Sequence, residues 1–288
     1  QAFGAHDSGA TSMVLYRSLA VAIGVGGVMI LLQWPLQMLL SRFVDPDPAT
    51  GALAVRYFRI LIYGAPAVLG TYALSGWFLG MQNSRMLLVT SILINITNIA
   101  VSLLLVFGLG WQIAGVATGT LVAQWTGFIT GLCLLRRYRP RMPRLRALLR
   151  GADLARFFRI NAEVMLRTLC LILVTLWFTK AGAANGPVIL AINTLLMQLF
   201  LLFSFVMDGF AFAGEALAGK YVGAADFSSL RLCIRRIFGW GAGLAAIFTA
   251  LYFFGGEWFL HLLTGDAGVV AASHDYYLWA VTVPFAGF

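Results

Sequence analysis

The chain has 288 residues, 60% of them hydrophobic and only 11% charged, with mean hydropathy +0.87. A soluble domain of this size is roughly half apolar, so the excess points to lipid as the main solvent and sets aside an ordinary soluble enzyme. Basic residues exceed acidic ones, 20 to 11. They lie mainly in loops between apolar runs, which membrane topology explains better than nucleic-acid binding does. Cys133, Cys170 and Cys233 lie in or beside apolar stretches without CxxC spacing, so they read as packing residues and not as a disulfide framework or zinc site.

A spanning helix needs about 20 mainly apolar residues. Eight segments qualify: 13–41, 53–80, 86–107, 112–135, 160–180, 188–217, 233–253 and 269–288. Most are separated by Gly, Pro, Asp and Asn, as at Asp45-Pro46-Asp47-Pro48, Gln82-Asn83-Ser84 and Asn185-Gly186-Pro187. The chain starts without a signal-peptide pattern and stops inside an apolar run, so both ends are expected to be cut.

Alternate loops differ in charge. The loops around 82–85, 136–159 and 219–231 hold Arg85, nine arginines from Arg136 to Arg159, Lys220 and Arg231, while the opposite loops have no Lys or Arg. The positive-inside rule therefore predicts that the 136–159 loop is cytoplasmic in an inner-membrane, multi-pass protein. This long polar break also predicts the organisation: an N-terminal lobe over 1–137, a basic linker over 138–156 and a C-terminal lobe over 157–288. The linker reads first as a topology anchor, and its charge also suits anionic lipid headgroups.

A weak internal repeat runs through the chain. Gly4-Ala5-His6-Asp7 returns as Gly223-Ala224-Ala225-Asp226, and glycine-rich stretches follow both copies. Pro66 is answered by Pro284. Completing both copies predicts about twelve helices, eight of them present here, in two six-helix lobes related by an axis along the membrane normal. The fold class expected is all-α and integral to the membrane: a two-lobed bundle with a parallel internal repeat.

Intramembrane polar residues are the functional candidates, because ionisable groups are costly there. Asp208 stands deep in its span, and Glu215 follows seven residues later on nearly the same face. A carboxyl group in low dielectric can exchange a proton at ordinary pH and attract a cation. Glu163, with Arg167 four residues on, is either an interfacial ion pair or a third coupling site. Asn95 and Asn98, and Asn193 and Gln198, form polar stripes that line a cavity or bond neighbouring helices. Met197, Met207 and Phe210 suit an adaptable apolar pocket, and Pro66 and Pro284 are candidate hinges. The sequence contains no HExxH, P-loop or GxSxG motif from which a membrane enzyme could be assembled.

Several stretches resemble a known family. Gln1-Ala2-Phe3-Gly4-Ala5, Gly76-Trp77-Phe78-Leu79-Gly80-Met81-Gln82, Asn95-Ile96-Thr97-Asn98-Ile99 and above all Met207-Asp208-Gly209-Phe210-Ala211-Phe212-Ala213-Gly214-Glu215-Ala216 are similar to the DinF-like branch of the multidrug and toxin extrusion (MATE) transporters. The resemblance implies a two-lobed antiporter that exports drug-like or cationic small molecules against H+ or Na+. It implies no other cofactor, membrane lipids as surroundings and a monomer. The family's Asn-x-x-x-Asp pattern reads here as Asn98-Ile99-Ala100-Val101-Ser102, which removes a carboxylate from the N-terminal lobe. A lipid-linked oligosaccharide flippase of related architecture is the alternative, but it needs a basic cavity, whereas Asp208 and Glu163 outnumber Arg167 within the spans.

Overall fold

The computed structural model describes residues 1–43, 48–144, 148, 151–265 and 267–287; the side chains of residues 40–43, 48–50, 151–154, 156, 157, 160, 161, 163, 257 and 267 are also outside the description. The described residues form helices and no strands. They fall into two compact units, Gln1–Leu149 and Arg150–Phe288.

Unit 1 holds α1 (Ser8–Leu31), α2 (Gln33–Phe43), α3 (Pro48–Leu61), α4 (Ala65–Gly80), α5 (Ser84–Leu103) and α6 (Gln112–Leu135). The first apolar run was expected as one span over 13–41, but it breaks at Leu32. Pro35 explains the break: it has no N–H for the Leu31 carbonyl, and its ring collides with that carbonyl in a continuous helix. Pro66 acts in a similar way. It occupies the first turn of α4, after a 3-10 turn at Ile62–Gly64, and Ala65 N–H bonds Ile62 O instead.

The core of unit 1 consists of Leu15, Leu19, Ala67, Leu74, Phe78, Phe128 and Leu135, drawn from α1, α4 and α6. Small residues let the backbones approach where side chains would hold them apart. A Cβ on Gly26 would lie 2.5 Å from Pro66 Cα, and one on Gly119 would lie 2.8 Å from Ser102 N. α5 ends in a π turn, Leu104–Gly108, whose Leu105 carbonyl accepts from Trp111 N–H.

Unit 2 holds α7 (Gly151–Ala184), α8 (Pro187–Gly223), α9 (Phe227–Leu263), α10 (Ala267–Ser273) and α11 (Tyr277–Ala286). Residues 151–156 of the expected linker already belong to α7. The eighth expected span is two short helices separated by a 3-10 turn at His274–Tyr276. The polar run Ser273-His274-Asp275 interrupts the apolar stretch there, and the buried Ser273 hydroxyl donates to Val270 O at 2.7 Å, the reach of a tightened turn. Seven helices among the described residues are long and apolar enough to cross a membrane.

Buried Ile192, Leu195, Leu199 and Phe203 make one stripe of α8. Tyr252 of α9 is fully buried, donates to Leu199 O at 2.7 Å and stacks edge-on with Phe248; Tyr277 in turn donates to Tyr252 O at 2.5 Å. These bonds tie α8, α9 and α11 into one bundle. The outward faces are apolar, with Phe254 85% and Phe107 81% exposed, as expected where hydrocarbon replaces water. Cys133 and Cys170 lie on such faces and are exposed, so neither is the packing residue that the sequence predicts.

Candidate functional site

Unit 2 has a mainly apolar cavity of about 620 Å³ between α7, α8 and the region from Tyr276 to Val283. α8 presents Asn193, Met197 and Phe200 to it at i, i+4, i+7 spacing, the period of one helix face. Thr175 and Phe178 face them from α7, and Tyr276 and Trp279 close the third side. The lining has no charged residue; Asn193, Thr175 and Tyr276 supply its polar side chains. Such a site holds a largely apolar ligand and orients it with a few polar contacts. Asn193 also packs tightly on α7, since a Cβ on Gly182 would lie 2.6 Å from its Nδ2.

Two of the residues singled out from the sequence, Asn193 and Met197, line this cavity. Asp208 does not. It lies eleven residues beyond Met197, which is about three helical turns and returns it to the same face of α8 some 16 Å along the axis. Ser204 falls between them on that face, and Glu215 two turns further on. Asp208 and Glu215 are exposed, Ser204 is half-buried. A carboxylate turned to hydrocarbon would cost about 2.5–3.5 kcal/mol, so this stripe belongs against water or further protein. Met207 and Phe210 are half-buried and lie off this stripe, and Gln198 is exposed and does not line the cavity. The side chain of Glu163 lies outside the described residues.

The polar stripe of α5 does something different. Asn98 Nδ2 donates across to Thr120 Oγ1 of α6 at 2.9 Å, and the Thr120 hydroxyl donates to Val116 O at 3.0 Å. Asn95 bonds back to Ser91 O within its own helix at 2.9 Å and is exposed. Asn98 is thus spent on joining two helices. Pro284 is buried near the end of α11, whereas Pro66 starts α4, so the two candidate hinges occupy different places in their helices.

Tyr276, Trp279, Thr175 and Phe178 were missed by sequence reading. Tyr276 ends the 3-10 turn between α10 and α11 and Trp279 lies in the first turn of α11, and the polar run that causes the break is the available signal. The described residues contain no cluster of His, Cys, Asp or Glu able to hold a metal ion.

The likeness of this chain to known proteins agrees with that architecture. It is 32% identical over its whole length to the DNA damage-inducible protein F of Escherichia coli, and spans 63% of that protein. A transporter of the MOP superfamily from Pyrococcus furiosus, described as having a binding pocket of reverse polarity, superposes with TM-score 0.84 at 19% identity, over 98% of this chain and 65% of that one. A MATE crystallised in complex with MaL6 gives TM-score 0.83 at 18% identity, over the same shares. The MatE family model matches residues 1–104 and 160–288, and the chain therefore belongs to the MatE family of transporters.

Proposed function

We propose that the protein is a secondary antiporter of the cell inner membrane that exports amphipathic or cationic small molecules in exchange for H+ or Na+, and is not an enzyme. The observation that carries this reading is the uncharged, mainly apolar cavity of unit 2 with the Asp208 carboxylate three turns along the same face of α8. The cavity suits the apolar body of a drug-like molecule, and the carboxylate suits its cationic end or the coupling ion, which are then in competition. That competition is what exchange requires. No organic cofactor is needed, and a single copy of the protein contains the cavity.

A lipid-linked oligosaccharide flippase is the second reading, since the reverse polarity of the binding pocket in the Pyrococcus furiosus protein suggests a different function for that transporter. A pyrophosphate group needs cationic partners, and none lines this cavity. Efflux of a cationic dye from vesicles containing the full-length protein, driven by a pH or sodium gradient, tests the proposal. Asp208→Asn keeps the side-chain volume and removes the charge, so efflux should collapse while protein level stays unchanged. Undiminished efflux would assign the coupling elsewhere, to Glu163 first.

A further inference from the structure

Unit 1 has a cavity of its own, about 330 Å³, at the end of the bundle where the arginine-rich segment leaves α6. Its walls include His6 and Asp7 before α1, Trp77 in the last turn of α4, and Tyr138, Arg139 and Arg141. The arginine segment is held in place there as a strap. Asn83 Nδ2 donates to the Tyr138 hydroxyl, and Tyr16 Oη donates to Pro140 O at 3.4 Å. The Tyr138 ring meets Trp77 edge-on at 5.2 Å. Arg139 turns the chain with a left-handed φ of +44°. Both Arg139 and Arg141 are exposed, and their side chains have no hydrogen-bond or ion-pair partner among the described residues. The one carboxylate in the wall, Asp7, is already engaged as the cap of α1, accepting from Ala10 N–H at 2.8 Å.

We propose that this cavity binds the phosphate of an anionic phospholipid headgroup at the cytoplasmic surface, with Arg139 and Arg141 as its charged partners. Guanidinium groups give up water readily and meet phosphate oxygens with a two-pronged fork. The Trp77 and Tyr138 pair forms a wall of rings with polar tips, the kind that settles at headgroup depth. Acyl chains have somewhere to go: Met142 beside the rim is 79% exposed and Val14 on α1 is 51% exposed. A topology anchor needs only the number of positive charges, whereas here hydrogen bonds to the neighbouring Tyr138 and Pro140 hold the backbone that carries two of them at the rim of one concavity.

Native mass spectrometry of the full-length protein, exchanged from detergent into mixed micelles of phosphatidylglycerol or phosphatidylcholine, reads retained lipid directly. We expect phosphatidylglycerol to be retained preferentially, and Arg139→Gln with Arg141→Gln to reduce its retention more than about tenfold, each surface charge being worth roughly fivefold. Arg231→Gln with Arg235→Gln, equal in charge but on α9, should change it less than about twofold. Arg139→Lys with Arg141→Lys should retain more lipid than the glutamine pair, which separates binding from misfolding. Equal losses from the α9 pair and the strap pair, or equal retention of the two lipids, would overturn the proposal. So would full displacement of phosphatidylglycerol by millimolar inorganic phosphate, which would make this a site for soluble phosphate.

Discussion

His6 and Ala225, 219 positions apart, hold the same left-handed backbone conformation, φ +54° and +55°, and each immediately precedes an aspartate that caps a helix. The hydrogen bonds around them coincide. Ala5 N–H to Gln1 O, His6 N–H to Phe3 O and Asp7 N–H to Ala2 O are answered by Ala224 to Lys220, Ala225 to Val222 and Asp226 to Tyr221. The same turn occurs a third time at Gly80-Met81-Gln82-Asn83, where Gln82 has φ +58° and Asn83 Oδ1 accepts from Met86 N–H. A left-handed residue that is not glycine costs about 1–2 kcal/mol, so three such turns persist because capping and the hydrogen bonds offset it.

In the third of these caps along the chain, pH should act in a defined direction. Hydrogen bonds from Ser229, foremost, and from Ser228 hold the Asp226 carboxyl down to about 2, below its usual 3.8. A lowered folded-state value means that the contribution to stability is complete above about pH 4 and is lost as pH falls toward 2. Thermal unfolding in detergent should therefore show a loss between pH 4 and pH 2 that Asp226→Asn reduces, because asparagine still caps but does not titrate. An identical pH profile in the variant would remove Asp226 from the account.

The repeat was legible from four residues in each copy because Gly-x-x-Asp encodes a turn whose side chain bonds its own backbone, a local matter. The third copy, ending in Asn, follows the same rule and was overlooked because no long similarity surrounds it. The cavity of unit 2 was only half legible. Asn193 and Met197 are polar or soft residues on one helix face, visible by period. Tyr276 and Trp279 reach the cavity through the break between α10 and α11, and tertiary packing decides that. For Asn98 the sequence leaves two readings open, cavity lining or a bond between helices, and the hydrogen bond to Thr120 follows the second.

Two neighbouring glycines of α1 should respond in opposite ways. A Cβ at Gly26 would lie 2.5 Å from the backbone of Pro66, where no rotamer change gives relief, whereas one at Gly27 meets nothing within 4 Å. Gly26→Ala should destabilise by about 1–3 kcal/mol, as overpacking does. Gly27→Ala should be neutral or stabilise by up to about 1 kcal/mol through helix propensity. Unfolding midpoints of the two variants, compared in one detergent, check the pair; equal behaviour would mean that α1 does not pack on Pro66 so closely.

Topology can be read with an impermeant thiol reagent on intact cells, in a background without Cys133, Cys170 and Cys233. Cysteines placed at Arg141 and Ala225 should both resist labelling from outside, because the positive-inside rule expects arginine-rich loops on the cytoplasmic side. Cysteine at Asn185, between α7 and α8, should react. Labelling at Arg141 would reverse the orientation and with it the proposed lipid site.

Ser102 decides whether a carboxylate can return to α5. Its hydroxyl is buried without a hydrogen-bond partner among the described residues, and it faces Gly119, whose added Cβ would lie 2.8 Å from Ser102 N and 2.9 Å from its Cα. The position therefore serves the close packing of α5 on α6, next to the Asn98 to Thr120 bond. Ser102→Ala removes an unsatisfied hydroxyl and should be neutral or stabilise by about 1 kcal/mol. Ser102→Asp, the residue expected there from the resemblance to the MATE pattern, places a larger and ionisable group where α6 backbone packs closely. It should destabilise by about 3 kcal/mol or more and leave gradient-driven efflux no greater than in the parent. Both are measurable on one preparation, by thermal unfolding and by dye efflux from vesicles. A stable Ser102→Asp protein with enhanced efflux would show that α6 yields at Gly119 and that the N-terminal unit can accept a coupling carboxylate after all.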